Sequence, residues 1–358
     1  MCFKNLFLCL KKTYIIFFAT VLFLNFTTSD LKSSIFSVND IEIVQPFEVN
    51  FKKDIVIDKA FKEAFKKLTK MTVASNQSNK LDSIKISQIK NLIDSFNIKN
   101  EKFIQNSYIG SFEVNFNKQN TLLFFEKKNV FPSIPSNKNI LLLPILINTE
   151  KKSINIFDQN PFYNNWLNEK KNYHLLDYTI PEQDLDLLKI LVTNSDNLEE
   201  FNYKNIINKY GYDNYIICLI YKDKNKIKIF SKININNEKK IKSKEFEVID
   251  FSDLKRLTEL IENIKNIYED VWKLANQINR SLKLAININV YSKDYEKNLY
   301  FENFLKKNEL ISEYFVKSFN NETISYKIIF NGSPKKFLEI ANDKGVIINT
   351  SNQVWYLN

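Results

Sequence analysis

Ala285-Ile-Asn-Ile-Asn-Val-Tyr291 alternates apolar and polar residues as a half-buried strand does, and the segments C-terminal to it decide the fold. Leu299 to Leu305 has helical spacing, and Ser312 to Phe319 and Thr323 to Phe330 read as two strands. Ser333 to Asn342 reads as a second helix, and Val346 to Leu357 as a strand broken by a turn at Ser351. Gly332 supplies the turn before that second helix, Ser333 its cap, Pro334 its first position and Gly345 its end. The order βαββαβ is the split βαβ arrangement, so residues 284–358 are expected to form a ferredoxin-like sandwich, two helices on a four-stranded sheet. Such modules commonly serve in protein–protein interaction, although a fold does not establish a role.

Residues 251–283, just before this module, carry the clearest periodicity in the chain. Leu254, Leu257, Ile261, Ile264, Tyr268, Val271, Ala275, Ile278 and Leu282 recur at steps of three and four, with Ser252 as N-cap and Asp253 in the first turn. Leu260, Ile267 and Leu274 widen the stripe beyond a two-position seam. A stripe that wide suits packing on a sheet or in a bundle, with an oligomer or partner seam as the alternative.

Residues 130–250 read as a central α/β domain entered through Pro132 and Pro135. Asn139-Ile-Leu-Leu-Leu-Pro-Ile-Leu-Ile147 is the nearly continuous apolar pattern of a strand covered on both faces, and Pro144 within it favours an edge or bulged position. Asp158 to Trp166 opens a short helix, Leu175 to Ile180 is a strand, and Pro181 to Leu188 begins a helix with acidic first turns. Asn202 to Tyr210 is stopped by Gly211, and strands come next near 214–222, 226–233 and 241–248.

Residues 36–129 form an N-terminal α+β domain. Ile41, Ile43 and Val44 open a strand that Val49 and Phe51 extend past Pro46; Ala60 to Leu68 is a helix; Ile86, Ile89, Ile93 and Phe96 mark a second amphipathic piece. Tyr108 to Phe116 is a long strand and Thr121 to Lys127 a short helix. The expected class is α+β: several small α/β sandwich modules, the last ferredoxin-like, with one long amphipathic helix between modules.

The first residues speak to compartment. Lys4, Lys11 and Lys12 precede an apolar run of 13 residues, Tyr14 to Phe26, and Thr27, Thr28 and Ser29 lead into Asp30. A bilayer-spanning helix needs about 20 apolar residues, so residues 1–29 read as a signal peptide cut before Asp30, with an uncleaved anchor as the alternative. Cleavage removes Cys2 and Cys9, leaving Cys218 in a buried strand and no intramolecular disulfide. It also lowers the formal charge from +10 to +7, since no acidic residue precedes Asp30. The cations are nearly all lysine, with Arg256 and Arg280 the only arginines, and Lys, Asn and Ile are heavily used together. That joint bias follows AT-rich codons, so the basicity does not point to nucleic acid, which favours arginine forks.

The succession of the Ala60 to Leu68 helix, Tyr108-Ile-Gly110 with its long strand, the Leu141 to Ile147 strand, Asn160-Pro161 with Trp166, Pro181 with Asp184, and Lys209-Tyr210-Gly211 before a strand is moderately specific in order and spacing and holds no catalytic signature. It resembles a family of exported proteobacterial proteins, the domain of unknown function 2066 family. The likeness runs from about Phe36 into the C-terminal module. It implies an envelope location and no established activity. Family members are usually rich in arginine and alanine where this chain has lysine and asparagine.

Catalytic signatures are absent from the sequence: no glycine-rich phosphate cradle, no HExxH, no paired-cysteine metal motif, no GxSxG elbow. His174 is the only histidine and reads as a structural or surface imidazole. Asp158, Asn160, Pro161 and Trp166 are the candidate ligand or partner groove, with the indole as apolar platform and the carboxylate as orienting acceptor. Their competing reading is a turn and cap at Asp158 or Asn160, a helix start at Pro161 and a core anchor at Trp166. Glu182, Asp184 and Asp186 suggest a cation site or a glycosidase pair, but Asp184 and Asp186 lie two apart and diverge on a helix, which favours a dipole-stabilised helix start.

Two function classes emerge. The first is a non-catalytic accessory or assembly protein of the periplasm or a membrane surface, with other envelope proteins as partners, no cofactor and no nucleic acid. The second is a periplasmic hydrolase or small-ligand-binding protein with a cleft near Trp166.

Overall fold

The computed structural model describes residues 36–168, 171–278, 283–308, 310–351 and 354–358. The expected signal peptide and Leu282 of the helical stripe lie outside them. The fold is α+β, built on three sheets.

The first unit contains β1 (Ser37–Pro46), α1 (Lys53–Thr72), α2 (Ile86–Lys90), β2 (Ile93–Ile104), β3 (Ser107–Phe116) and α3 (Lys118–Lys127). Its antiparallel sheet runs β1-β3-β2. Alternation in β3 buries Tyr108, Phe112, Val114 and Phe116, and α1 packs its Ala60, Phe61, Ala64, Phe65 and Leu68 stripe into the same core. Two expectations need correcting. Strand β1 stops at Pro46, leaving Val49 fully exposed in a loop. The helix expected from Ile86 to Phe96 ends at Lys90, because Phe96 and Ile98 pair with Val114 and Phe112 on β3. Isoleucines at helical spacing were compatible with either state, and the sheet partner decides.

The central unit holds β4 (Lys138–Asn148), β5 (Ser153–Asn155), α4 (Pro161–Asn165), β6 (Leu176–Thr179), α5 (Leu185–Thr193), α6 (Lys204–Tyr210), β7 (Tyr215–Lys222), β8 (Lys226–Ile235), β9 (Glu238–Glu247) and the long α7 (Leu254–Ala275). The sheet order is β5-β4-β7-β8-β9, with β6 also beside β4. Leu142, Ile216, Cys218 and Ile220 share a core with Leu257, Ile261, Ile264 and Tyr268 of α7. Leu141, Leu143, Ile217 and Leu219 face the other way, toward Leu187 and Leu191 of α5 and Ile206 and Ile207 of α6. Both faces are covered, as the apolar run implied; α7 ends at Ala275, short of the expected Ile278, and packs Leu257, Ile261, Ile264, Tyr268 and Val271 within the chain while Leu254 and Leu274 stay exposed. The cap of α7 is Asp253, whose carboxylate accepts from Arg256 N at 3.2 Å, while the expected cap Ser252 bonds Asp250. Helix α5 likewise starts later than Pro181, at its cap Asp184.

Pro144 finds an edge inside the sheet. Strand β7 lines one side of β4 from Leu141 to Asn148; on the other side β6 reaches only to Leu141 and β5 begins at Leu146. The proline, which has no N–H to donate, falls in that gap.

The last module contains β10 (Leu284–Tyr291), α8 (Tyr295–Lys307), β11 (Ile311–Phe319), β12 (Thr323–Phe330), α9 (Pro334–Asp343), β13 (Ile348–Asn349) and β14 (Trp355–Leu357). Strands β10, β11 and β12 and both helices adopt the split βαβ order, and Ser333 caps α9 ahead of Pro334. The expected final strand differs: it folds into a short hairpin, so the sheet has five strands in the order β11-β12-β10-β14-β13, and β14 runs parallel to β10.

A seam joins the units. Ser133 donates its N–H and hydroxyl to the Thr72 carbonyl at 2.6 and 3.0 Å, Ile278 N donates to Pro132 O at 2.7 Å, and Ser75 N donates to the Asp270 carboxylate at 2.9 Å. Buried residues of the first unit and the last module belong to one continuous core, and Leu122, Val130 and Ile278 of that core line a small cavity together.

Candidate functional site

The four candidate groove residues are held by different duties. Asp158 is exposed in a 3-10 turn and accepts from the Gln183 amide. Asn160 is fully buried: its Oδ1 accepts from Phe162 N at 3.0 Å, capping α4, and its Nδ2 donates to Pro144 O at 3.0 Å, filling the gap beside β4. Pro161 takes the first helical position. Trp166 is also fully buried, stacked on Tyr268 at 6.1 Å between ring centroids and edge-on to Tyr178 at 5.5 Å. With Asn160 and Trp166 showing no surface, the four do not line one open groove.

The acidic trio does not converge either. Asp184 caps α5 through Asp186 N and Leu187 N and pairs with Lys209 Nζ at 2.5 Å; the Lys209 hydrogen bond, chiefly, holds its carboxyl below the usual range. Glu182 precedes the helix and Asp186 sits in its first turn. Among the described residues no group of three or more His, Cys, Asp or Glu side chains is placed to hold a metal ion. Cys218 is fully buried in β7, where desolvation pushes its thiol up to about 12. Beside it the Ser231 and Tyr268 hydroxyls are hydrogen-bonded at 2.7 Å.

A polar strap along α7 is what sequence reading missed. Buried His174 places Nε2 at 3.0 Å from Glu262 Oε1, and the Tyr173 hydroxyl donates to the same oxygen at 3.1 Å. Seven residues on, two helical turns, Glu269 accepts from Leu175 N at 3.0 Å and Leu176 N at 2.9 Å. The two carboxylates thereby fasten residues 173–176 to the helix. Their chemistry diverges. Burial pushes the Glu269 carboxyl up against the pull of the two N–H groups. Burial also acts most strongly on Glu262, but His174, Tyr173 and Lys265 together outweigh it and hold that carboxyl below its ordinary value. The available signal was the placement of Glu262, Lys265 and Glu269 next to Ile261, Ile264 and Tyr268 in the stripe. Glu262 also lines an open cleft of about 730 Å³ with Lys171, Lys255, Thr258, Glu259 and Asn263.

An exposed apolar surface lies at one end of the first sheet. The loop after β1 and the β2–β3 hairpin meet there, joined by Phe47 N donating to Asn106 O at 2.6 Å. Gln105 and Asn106 both take the left-handed conformation, at φ 50° and 57°, which makes the hairpin tight. The Phe47, Phe51, Phe103 and Tyr108 rings form a cluster with centroids 4.9 to 6.4 Å apart. Val49 stands fully clear of it, and Phe47, Phe103 and Ile104 are exposed.

In comparisons with known proteins, no family model and no curated protein sequence matches this chain.

Proposed function

We propose that this chain is a non-catalytic accessory or assembly protein of the cell envelope, in the periplasm or at a membrane surface, that docks other envelope components through the apolar tip of its first unit. The tip carries the reading: an apolar projection braced on the core by ring packing and a hairpin, with Phe47, Val49, Phe103 and Ile104 left exposed, is the kind of surface that marks an interaction site. The compartment rests on the order of Lys4, Lys11, Lys12 and the Tyr14 to Phe26 run, and on the resemblance to the domain of unknown function 2066 family. Among the described residues no helix is long and apolar enough to cross a membrane. A photo-crosslinking side chain at Val49, with one at Lys239 on β9 as control, tests the docking role in intact envelopes. Discrete adducts at position 49 and none at 239 are expected; no adduct at 49, or the same adducts at both, overturns it.

A second reading, a small-ligand-binding protein or hydrolase, draws on Glu262, which faces the cleft while His174 backs it from the core. A thermal-shift and ester-hydrolysis screen of the chain and its Glu262→Gln variant tests this reading. A hit that the variant loses supports it, and a screen without hits removes it.

A further inference from the structure

Strand β9 is the outer strand of the central sheet, paired to β8 along its whole length and without a strand neighbour on its other edge among the described residues. Its side chains alternate between two faces, and the register with β8 tells the faces apart. Lys240, Lys242 and Lys244 lie opposite Ile233, Ser231 and Ile229. Those β8 residues face α7: the isoleucines share its core and Ser231 is bonded to Tyr268. The three lysines therefore project in one row at the margin of the α7 side. Glu245 and Glu247 project on the other face, where Glu245 pairs with Lys226 at 2.7 Å. The strand thus sorts its charges by face. Codon bias enriches lysine along the whole chain, but it does not sort it in this way.

The row is little compensated. Lys240 has one acidic neighbour, Glu238 at 3.4 Å, whereas Lys242 and Lys244 are exposed and form no ion pair with a described residue. Alternate residues of a strand stand about 7 Å apart, inside the screening length of about 8 Å at physiological salt, so the three cations act as one field. A single charge is enough to keep a foreign strand off an edge; three on one face fit an extended anionic surface. We propose that this lysine face of β9 holds the chain to an anionic bilayer surface, with the ammonium groups of Lys240, Lys242 and Lys244 meeting phospholipid headgroups. Lysine brings point charges without the planar fork that nucleic-acid recognition uses. A folded protein partner is disfavoured because the row holds no apolar residue between its lysines to form the core of an interface. The inference rests on the envelope location proposed above and not on the apolar tip, and vesicle binding is measured independently of both.

Co-sedimentation of the purified chain with phosphatidylcholine vesicles, with and without phosphatidylglycerol, tests this. Binding is expected only where phosphatidylglycerol is present, and raising the salt is expected to release it. Each lysine near such a surface is worth about fivefold in affinity, so the triple variant Lys240→Gln, Lys242→Gln, Lys244→Gln is expected to bind about a hundredfold more weakly. A control that loses the same charge from exposed lysines elsewhere, Lys62→Gln, Lys66→Gln, Lys293→Gln, is expected to stay within about fivefold of the parent. Circular dichroism melts that match the parent's show that both variants keep the fold. A chain that ignores phosphatidylglycerol vesicles, binding that persists in high salt, or an equal loss in the two variants overturns the proposal. So does retention on heparin without vesicle binding, which points to a different polyanion.

Discussion

Asn160 donates its side-chain amide to the carbonyl oxygen of Pro144 across 3.0 Å, on the stretch of β4 that neither β5 nor β6 reaches. One buried side chain thus caps a helix and closes a break in a sheet. Asn160→Ala removes the cap, worth about 1 kcal/mol, and leaves a buried carbonyl unpaired at about 1–3 kcal/mol. Urea denaturation is expected to show a loss of about 2–4 kcal/mol. Asn160→Ser, which can cap α4 but is too short to span to Pro144, is expected to recover about 1 kcal/mol of it.

Glu262 and Glu269 are expected to bend the pH dependence of stability in opposite directions. The Glu262 carboxyl lies below its ordinary 4.5 in the folded chain, so its contribution is present above that value and is lost as pH falls through the lowered folded one. The Glu269 carboxyl lies above 4.5, so its contribution is present below that value and is lost as pH rises through the raised one. Against the parent chain, Glu262→Gln is expected to be less stable near neutrality and to close that gap in acid. Glu269→Gln is expected to gain relative stability as pH climbs above 4.5. Unfolding free energies measured from acid to neutral pH check both slopes; parallel curves would contradict the assignment.

Cys218 is expected to be inert to thiol reagents in the native state at mildly alkaline pH. Its thiol is pushed up to about 12 by burial and has no exposed surface. Labelling with a chromogenic disulfide should track global unfolding, its rate rising with urea in step with loss of circular dichroism.

Val49 is expected to separate docking from stability. Fully exposed, it changes to serine at a cost below about 0.5 kcal/mol by urea denaturation. In the same variant, crosslinking from a probe at position 47 in intact envelopes is expected to fall sharply.

Local chemistry made much of this fold legible. The apolar run of β4, Gly211 at φ 68° closing α6, and the stripe of α7 each carry their reason within a few residues. Strand β2 was not legible, because Ile86, Ile89 and Ile93 fit a helix until β3 supplies a partner. The hairpin of β13 and β14 hides in one apolar segment for the same reason: which strand lies beside β10 is a tertiary choice. At the candidate site, Asn160, Pro161 and Trp166 announced themselves by residue type, but type alone does not tell a groove from a cap and a core anchor. Glu262 and Glu269 were masked by the helix that carries them, since their partners lie some ninety residues earlier in the chain.

The core shared by the first unit and the last module also orders events as the polypeptide is made. Residues 36–130 bury β3 against α1 among themselves, but the part of that core shared with the last module closes only when residues 278–357 arrive, whereas β4 to α7 have their partners within an uninterrupted stretch. A chain threaded from its N-terminus can therefore cover its first sheet with α1 at once, yet the patch that meets the last module stays open while the whole middle is made, and closes only with the final strands.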